Sequence, residues 1–280
     1  MSALSQADFS YVARELLARS GIVLPPEKAH LIETRASNIA RREGFLSVQE
    51  LITTARARRD ERLISAIADT LINNETYFFR DRAPFEFFRK VMTAEITARR
   101  PDTRLRVWSA GCASGQEPYS LAILLEEMKT EGRLIDCEIL ATDISPRILE
   151  KARAGLYSQF EVQRGLPIQF LVRHFEKFGE QWRVSDRVRA KAKLQAHNIL
   201  SDAGPLGKFD IVFCRNVLSS FDDGSRALAL DRIAAVLADD GYLVLGQDET
   251  LAGTAHAFAQ AGARAGIYTR VTSSARRAAA

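Results

Sequence analysis

A chain of 280 residues with 46% hydrophobic and 26% charged side chains has the composition of a globular protein with a substantial core. The net charge of +4 is too small to predict a nucleic-acid-binding surface and is only a weak indication of an acidic partner. Three dispersed cysteines without a Cys-x-x-Cys pair argue against a disulfide framework or a zinc site. The N-terminus lacks a signal-peptide pattern and no segment approaches the ~20 apolar residues of a membrane helix, so we expect a cytoplasmic protein.

The first 72 residues are predicted to form a small all-α domain. In segment 5–21, Ser5 is a candidate N-cap, Gly21 is a candidate stop, and apolar residues recur on one helical face between them. Segments 25–44 and 47–73 predict two or three further helices. None of these segments shows the alternation that is typical of a strand.

From residue 105 onward, strands alternate with helices. Strands are predicted at 105–111, 137–145, 208–218, 242–249 and 266–271, and helices at 117–129, 146–155 and 224–241. This order predicts an α/β domain whose parallel sheet is covered by helices on both faces. Residues 272–280 are predicted to be a frayed tail.

The segment 157–195 interrupts the alternation, which predicts a small antiparallel sheet inserted into the α/β domain. Arg187, Arg189, Lys191 and Lys193 occupy every second position near its end. This pattern predicts a strand with one basic face. The basic face is either ordinary solubilising charge or a docking surface.

The turn in "VWSAGCASGQEPYS", after the first predicted strand of the α/β domain, is a candidate ligand site. Gly111 and Gly115 fall where parallel α/β sheets bind ligands, although glycine also serves close packing of a helix on a strand. Their G-x-x-x-G spacing departs from the G-x-G-x-x-G of dinucleotide-binding proteins. Asp143, at the end of the second strand of this domain, suits the hydroxyls of a ribose; alternatively it caps or turns into the next helix.

Glu117 lies at the start of the following helix, where a dinucleotide-binding fold places a pyrophosphate. A carboxylate there repels phosphate but attracts an ammonium or sulfonium group. This favours S-adenosylmethionine over a nicotinamide dinucleotide. The alternative is an acid that merely stabilises the helix N-terminus.

The stretch "NNETYFFRD" at 73–81 combines amides, a threonine, three adjacent aromatic residues and an arginine. One interpretation is that the polar residues bind a charged cofactor while the aromatic residues pack between two domains. The alternative is an interdomain linker with a chance cluster of polar residues.

Together these motifs resemble the chemotaxis receptor methyltransferases, the CheR family. "NNETYFFR", "WSAGCASGQEPYS", "ATDIS…LEKARAGLY", "HNIL", "FDIVFCRNVL" and "DDGYLVLGQDETL" occur in that family's order and spacing over nearly the whole chain. The resemblance implies a helical N-terminal domain at 1–72 and a Rossmann-like S-adenosylmethionine-dependent methyltransferase domain at 73–280. Within the latter it implies a linker at about 73–100 and an inserted β-subdomain at about 157–195.

The resemblance also implies an activity and its site. Methyl groups would pass from S-adenosylmethionine to glutamate carboxylates on the cytoplasmic helices of chemoreceptors, leaving S-adenosylhomocysteine. Arg80 would face the reacting centre as the catalytic residue, and no metal is implied. The implied cofactor-binding residues are Asn74, Thr76, Arg80, Gly111, Glu117, Asp143, Asn198, Ile199, Arg215 and Asn216.

Receptor docking is implied for the N-terminal domain of a cytoplasmic monomer that neither inserts into membranes nor binds nucleic acid. The candidate docking residues are Lys28, Arg35, Arg41 and Arg42, on its second helix. One departure from the family is Ser220, where a tyrosine is expected. Because that hydroxyl-bearing ring is missing, a second hypothesis remains: an S-adenosylmethionine-binding interaction protein with little methyltransferase activity.

Overall fold

The computed structural model of the chain describes residues 4–101, 103–251, 257–262 and 265–271. The chain divides into two compact units, one of Met1–Asn73 with Ser220–Arg226 and the other of Asn74–Ser219 with Ala227–Ala280. The predicted tail at 272–280 lies outside the described residues. None of the helices in the described ranges is both long and apolar enough to cross a membrane.

The first unit, called here the helical unit, is built from α1 (Gln6–Ser20), α2 (His30–Arg42), α3 (Val48–Arg58) and α4 (Glu61–Leu71). Ser5 caps α1 by accepting the backbone N–H of Asp8, and Gly21 ends it at φ +73°, as predicted. The apolar faces of the helices meet in one core in which Leu16, Ile32 and Leu51 are fully buried. Helical periodicity therefore predicted this unit correctly.

Residues 220–226 also belong to the helical unit, which the sequence analysis did not predict. Phe221 forms an antiparallel bridge with Ile22. The backbone N–H of Val23 donates to the carbonyl oxygen of Ser220 at 2.9 Å. This pairing joins positions about two hundred residues apart, and local periodicity carries no signal for it.

The second unit, called here the α/β unit, contains strands and helices in alternation. Its strands are β1 (Leu105–Ala110), β2 (Cys137–Asp143), β3 (Leu156–Tyr157), β4 (Phe175–Phe178), β5 (Gln181–Val184), β6 (Ala192–Ala196), β7 (Phe209–Cys214), β8 (Leu237–Leu245), β9 (Phe258–Gln260) and β10 (Ile267–Arg270). The helices that follow α4 are α5 (Ala83–Phe87), α6 (Thr93–Arg99), α7 (Gln116–Thr130), α8 (Pro146–Ala154), α9 (Gln159–Gln163), α10 (Ile168–His174), α11 (Asp186–Arg189) and α12 (Asp223–Val236).

Within the described residues, the main sheet has seven strands in the order β6-β2-β1-β7-β8-β10-β9. The strands from β6 to β8 run parallel, β10 pairs antiparallel with β8, and β9 pairs antiparallel with β10. β1 and β7 are buried almost throughout, as expected of parallel strands covered on both faces. The predicted α/β fold class is confirmed. The parallel order brings the carboxyl ends of β1, β2 and β7 to one edge of the sheet.

The inserted subdomain contains the predicted small antiparallel sheet, but the last strand of the segment lies in the main sheet. β3, β5 and β4 form a separate antiparallel sheet, whereas β6 pairs with β2 in the main sheet. The predicted strand with one basic face is wrong, because Arg187 and Arg189 lie in α11. The buried side chain of Val188 and the hydrogen bonds from residues 188 and 189 to the Ser185 carbonyl favour a helical turn over an extended strand.

The four cations of that segment also face different partners. Arg187 donates to the carbonyl oxygen of Arg173. The ion pairs of the other three are Arg189–Asp186, Lys191–Glu126 and Lys193–Glu138, at 3.1, 3.1 and 3.3 Å. They therefore form no common docking face.

Phe78 and Phe79 of "NNETYFFRD" pack inside the α/β unit, so their predicted position between two domains is wrong. Phe78 is fully buried, with edge-on contacts to Tyr157 and Phe175. Phe79 is buried against Phe85 and Phe170.

The predicted linker at 73–100 is mostly helical as well. α5 continues through a π-helical segment, Phe88–Met92, into α6. Phe85, Phe88, Met92 and Ile96 of this stretch are buried in the core of the α/β unit. Their spacing of three to four residues is that of one buried helical face.

Replacing Phe78 with alanine is expected to destabilise the α/β unit by about 3–5 kcal/mol, because the change leaves a cavity in a packed aromatic cluster. Phe160→Ala is the matched control, since the Phe160 side chain is 72% exposed and its removal should change the free energy of unfolding by less than about 0.5 kcal/mol. Both tryptophans, Trp108 and Trp182, lie in this unit, so urea unfolding followed by their fluorescence measures it selectively. Equal losses in the two variants would contradict the core position of Phe78.

Candidate functional site

The turn that follows β1 is shaped by contacts within the protein. The N–H groups of Gly111 and Cys112 both donate to the carbonyl oxygen of Thr142, at 2.8 and 2.9 Å. Gly111 has φ +73°, and a Cβ atom there would lie 2.5 Å from Cγ2 of Val217. Only glycine satisfies both the left-handed backbone and this close approach.

Gly115 is constrained in the same way, at φ +94°. A Cβ atom there would lie 3.1 Å from each of Ala152, Tyr119 and Tyr157. Close packing, one of the alternatives left open by the sequence, is therefore the direct reason for glycine at both positions. The consequence is a turn of fixed shape at the edge where ligands of α/β sheets bind.

Asp143 ends β2 and is buried beside this turn. Its Oδ2 accepts the backbone N–H of Ala113 and its Oδ1 that of Ser145, both at 2.9 Å. The N-cap of α8 is Ser145, whose side chain accepts the N–H of Ile148. Asp143 is thus not the helix cap; its carboxylate joins the β1 turn to the start of α8.

Glu117, in the first turn of α7, is buried and already has two partners. Its Oε1 accepts the Ser109 hydroxyl at 2.8 Å, and its Oε2 accepts Nη1 of Arg215 at 3.2 Å. Burial raises the pKa of the Glu117 carboxyl, while the charge of Arg215 and the Ser109 hydrogen bond act in the opposite direction. The ion pair with Arg215 had no signal in the sequence.

Arg215 follows β7, and its side chain is only 2% exposed. Nη2 donates to the carbonyl oxygen of Arg80 and to Oδ2 of Asp81, each at 2.7 Å. One guanidinium therefore connects α7, the end of β7 and the "FFRD" stretch. Asp81 was missed as a site residue, although it directly follows the recognised motif.

The backbone around Asp81 is unusual. Phe79, Asp81 and Arg82 have φ values of +51°, +64° and +40°. Positive φ is uncommon outside glycine, and such strain concentrates at functional sites. The N–H of Phe79 donates to the Ser120 hydroxyl at 3.0 Å, which ties the strained stretch to α7.

The side chain of Arg80 is half-buried. Its Nη1 donates to the carbonyl oxygen of Glu75 at 3.1 Å, and its guanidinium carbon lies 5.6 Å from the ring centroid of Tyr77. Asn74 and Thr76, from the same motif, are partly exposed. The positive charge of Arg80 acts to lower the pKa of Glu117, against the larger effect of burial, which raises that pKa.

Asn216 is held at φ +59° by Glu249, whose Oε2 accepts the N–H of Asn216 at 2.6 Å. The same buried carboxylate accepts the N–H groups of Gly246 and Ser219, at 2.9 and 3.0 Å. Glu249 was missed by the sequence analysis as the residue that organises this loop. Oδ1 of Asn216 is buried and has no hydrogen-bond partner among the described residues, so it fits a ligand that donates a hydrogen bond.

Asn198 and Ile199 follow β6 at the same edge of the sheet. Oδ1 of Asn198 accepts the N–H of Leu200 at 3.1 Å, and Ile199 is buried. The N–H of His197 donates to the carbonyl oxygen of Asp143 at 3.0 Å, which brings this turn to the end of β2.

The predicted docking residues lie in the helical unit and are not equivalent. Arg35 is half-buried, and its Nη1 donates to the carbonyl oxygen of Leu71 at 3.0 Å, so it caps the end of α4. Lys28 precedes α2 instead of lying on it. Arg41 and Arg42 are exposed in the last turn of α2. Ser220 also belongs to this unit.

The charges that are paired around the Arg215 guanidinium do not balance. Two carboxylates, Glu117 and Asp81, share one guanidinium, Arg215. A ligand with a positive, hydrogen-bond-donating group fits this excess of negative charge, whereas a phosphate does not. Among the described residues, no cluster of His, Cys, Asp and Glu side chains is arranged to hold a metal ion.

A parallel α/β sheet with this non-dinucleotide turn and a buried acid at the start of α7 is that of an S-adenosylmethionine-dependent methyltransferase. The family model "CheR methyltransferase, SAM binding domain" matches residues 74–267. The chain belongs to the CheR methyltransferase family. It is an S-adenosylmethionine-dependent methyltransferase of chemotaxis.

Similar proteins agree with this assignment over most of their length. Chemotaxis protein methyltransferase Cher2 of Pseudomonas putida is 36% identical over 88% of this chain and 91% of its own. Chemotaxis protein methyltransferase 1 of Pseudomonas aeruginosa is 38% identical over 88% of this chain and 91% of its own. Chemotaxis protein methyltransferase of Vibrio parahaemolyticus is 35% identical over 97% of this chain and 100% of its own.

Among solved structures, the plantazolicin methyltransferase BpumL in complex with SAH matches with a TM-score of 0.35 and 13% identity, over 86% of this chain and 60% of that one. A likeness at this level carries no argument. The family assignment therefore rests on sequence.

Proposed function

We propose that the chain methylates glutamate side chains on the cytoplasmic helices of chemoreceptors, acting in the cytoplasm as an adaptation enzyme. The observation that carries the proposal is the buried, net-negative cluster of Glu117, Asp81 and Arg215 beside Arg80, in a chain of this family. The cluster is suited to a cationic cofactor, and Arg80 is suited to an anionic acceptor.

The residues of the site fit S-adenosylmethionine, which supplies the methyl group. Glu117 would hold its ammonium group, and Asp143 would accept hydrogen bonds from its ribose. The orphaned Oδ1 of Asn216 would accept a further donor. The remaining predicted contacts are Asn74 and Thr76 at the methionine end, Asn198 and Ile199 at the adenine, and Arg215 and the Gly111 turn as supports.

A glutamate acceptor needs no general base. Its unperturbed pKa is about 4.3, so its carboxylate is ionised at neutral pH. Arg80 would orient that carboxylate through a charge-assisted hydrogen bond. Orientation in a water-excluded site can lower a barrier by roughly 7–11 kcal/mol, and the proposed enzyme works chiefly by such positioning.

Glu117→Gln is expected to weaken binding of S-adenosylhomocysteine ten- to hundredfold at neutral pH, because a charge-assisted contact worth about 1.5–3 kcal/mol is lost. In the wild type, protonation of Glu117 has the same effect. Because the pKa of Glu117 is raised, affinity should fall as the pH drops through a range above that of an ordinary carboxyl. The measurement is isothermal titration calorimetry from neutral to mildly acidic pH. If S-adenosylhomocysteine affinity depended on pH equally in the wild type and in Glu117→Gln, Glu117 would not be the residue that binds the ammonium group.

The function itself is tested by incubating the protein with methyl-labelled S-adenosylmethionine and membranes that contain chemoreceptors. Base-labile methyl esters on receptor glutamates are expected. Arg80→Ala should reduce single-turnover transfer by roughly 10²–10³ while leaving S-adenosylhomocysteine affinity nearly unchanged. Arg82→Ala, the same change at an exposed neighbour, is the control and should retain transfer. Cofactor binding without transfer to any receptor would favour the interaction protein that the Ser220 departure left open.

Receptor docking is proposed for the exposed cations of the helical unit, Lys28, Arg41 and Arg42. Arg35 is a poor probe because its reversal would also remove the cap of α4. Arg41→Glu is expected to lower the rate of receptor methylation and its dependence on salt, since exposed charges chiefly govern association. Arg58→Glu makes the same change in the last turn of α3 and should have little effect. Equal rates in both variants over a series of salt concentrations would refute this docking site.

A further inference from the structure

We propose that Asp81 is a positioning residue that acts through Arg215 on both functional ends of the site: it keeps Glu117 available to the cofactor's ammonium group and holds Arg80 towards the acceptor. The proposal rests on the function proposed above.

The first step is the way in which the Arg215 guanidinium is shared. Nη1 reaches Glu117 at 3.2 Å, whereas Nη2 reaches Asp81 at 2.7 Å. The side chain is 2% exposed, so solvent screens these contacts little. The shorter contact to Asp81 draws the guanidinium away from Glu117. Without the Asp81 charge, Glu117 would be its only carboxylate partner among these contacts.

The second step concerns the ligand. A carboxylate that is fully paired with an internal guanidinium attracts an external ammonium less than one that is partly paired. Asp81 therefore strengthens cofactor binding without touching the cofactor, by sharing the charge of Arg215. The Ser109 hydroxyl, which donates to Oε1 of Glu117 at 2.8 Å, holds that carboxylate in place on its other side.

The third step concerns the backbone that carries Arg80. Asp81 and Arg82 are both in left-handed conformations that cost free energy outside glycine. The Nη2 group that binds the Asp81 carboxylate also donates to the carbonyl oxygen of Arg80 at 2.7 Å. Loss of the ion pair removes the force that keeps this donor on the Arg80 peptide. The direction of the Arg80 side chain then loses its restraint.

The variants that test the proposal are Asp81→Asn, which removes the charge at nearly constant shape, and Asp81→Glu, which retains the charge. Glu86→Gln is the matched control, because it neutralises an acid on the adjacent α5 whose pair with Lys90 is exposed, both side chains at 65%. The readouts are S-adenosylhomocysteine affinity by calorimetry, single-turnover methyl transfer, and urea unfolding by tryptophan fluorescence.

We expect Asp81→Asn to weaken S-adenosylhomocysteine binding about tenfold and to slow transfer more than tenfold at saturating cofactor, on the scale of one charge-assisted contact. Asp81→Glu should recover most of the affinity, and Glu86→Gln should match the wild type. The decisive measurement is a double-mutant cycle with Glu117→Gln. Because Asp81 acts on the cofactor through Glu117, Asp81→Asn should cause little further loss of affinity in the Glu117→Gln background.

The proposal is overturned if Asp81→Asn binds S-adenosylhomocysteine like the wild type, or if its loss is the same in both backgrounds. A loss of tenfold or more in a folded Asp81→Glu variant would also overturn it, whether or not Asp81→Asn folds. The calorimetric cycle needs no receptor. A wild type that shows the expected cycle but methylates no receptor would therefore refute the proposed function alone and leave the positioning role of Asp81 intact.

Discussion

A buried guanidinium with three oxygen partners organises the candidate site. Arg215 lies at the end of β7, yet its partners belong to α7 and to the stretch just before α5. Removing a charge from solvent is costly unless opposite charges lie close to it, so the buried position of Arg215 requires Glu117 and Asp81 nearby. The same requirement explains why the strained backbone of Asp81 and Arg82 persists: the local cost is offset by satisfying a charge that has no access to water.

The features that the sequence predicted well are those with a local physical basis. Apolar periodicity located α1 and α2, and short apolar runs located β1, β2 and β7, because each element must bury one face or both. The edge of the sheet where the proposed ligand residues gather followed from strand polarity alone. Individual site residues remained proposals, because their roles were implied by family resemblance and not by spacing.

The features that escaped prediction are contacts between residues far apart in the chain. Asp81 and Arg215 are 134 positions apart, and Asn216 and Glu249 are 33 apart. Neither contact produces a periodic pattern in the sequence. The two errors have a similar origin. The alternating basic residues near Val188 have the period of a strand, but the burial of the Val188 side chain favours a helix. Adjacent phenylalanines do not indicate in which core they are buried.

Because residues 220–226 belong to the helical unit, the boundary between the two units is not a single position in the chain. The chain passes between the two units three times, at 73–74, 219–220 and 226–227. A chain that began at Asn74 would still carry Phe221 but not its partner Ile22. Neither unit is therefore a continuous segment that a single cut would release. A protease that cleaved only after Asn73 would leave residues 220–226 of the helical unit covalently part of the other fragment, so the two pieces would be expected to co-purify.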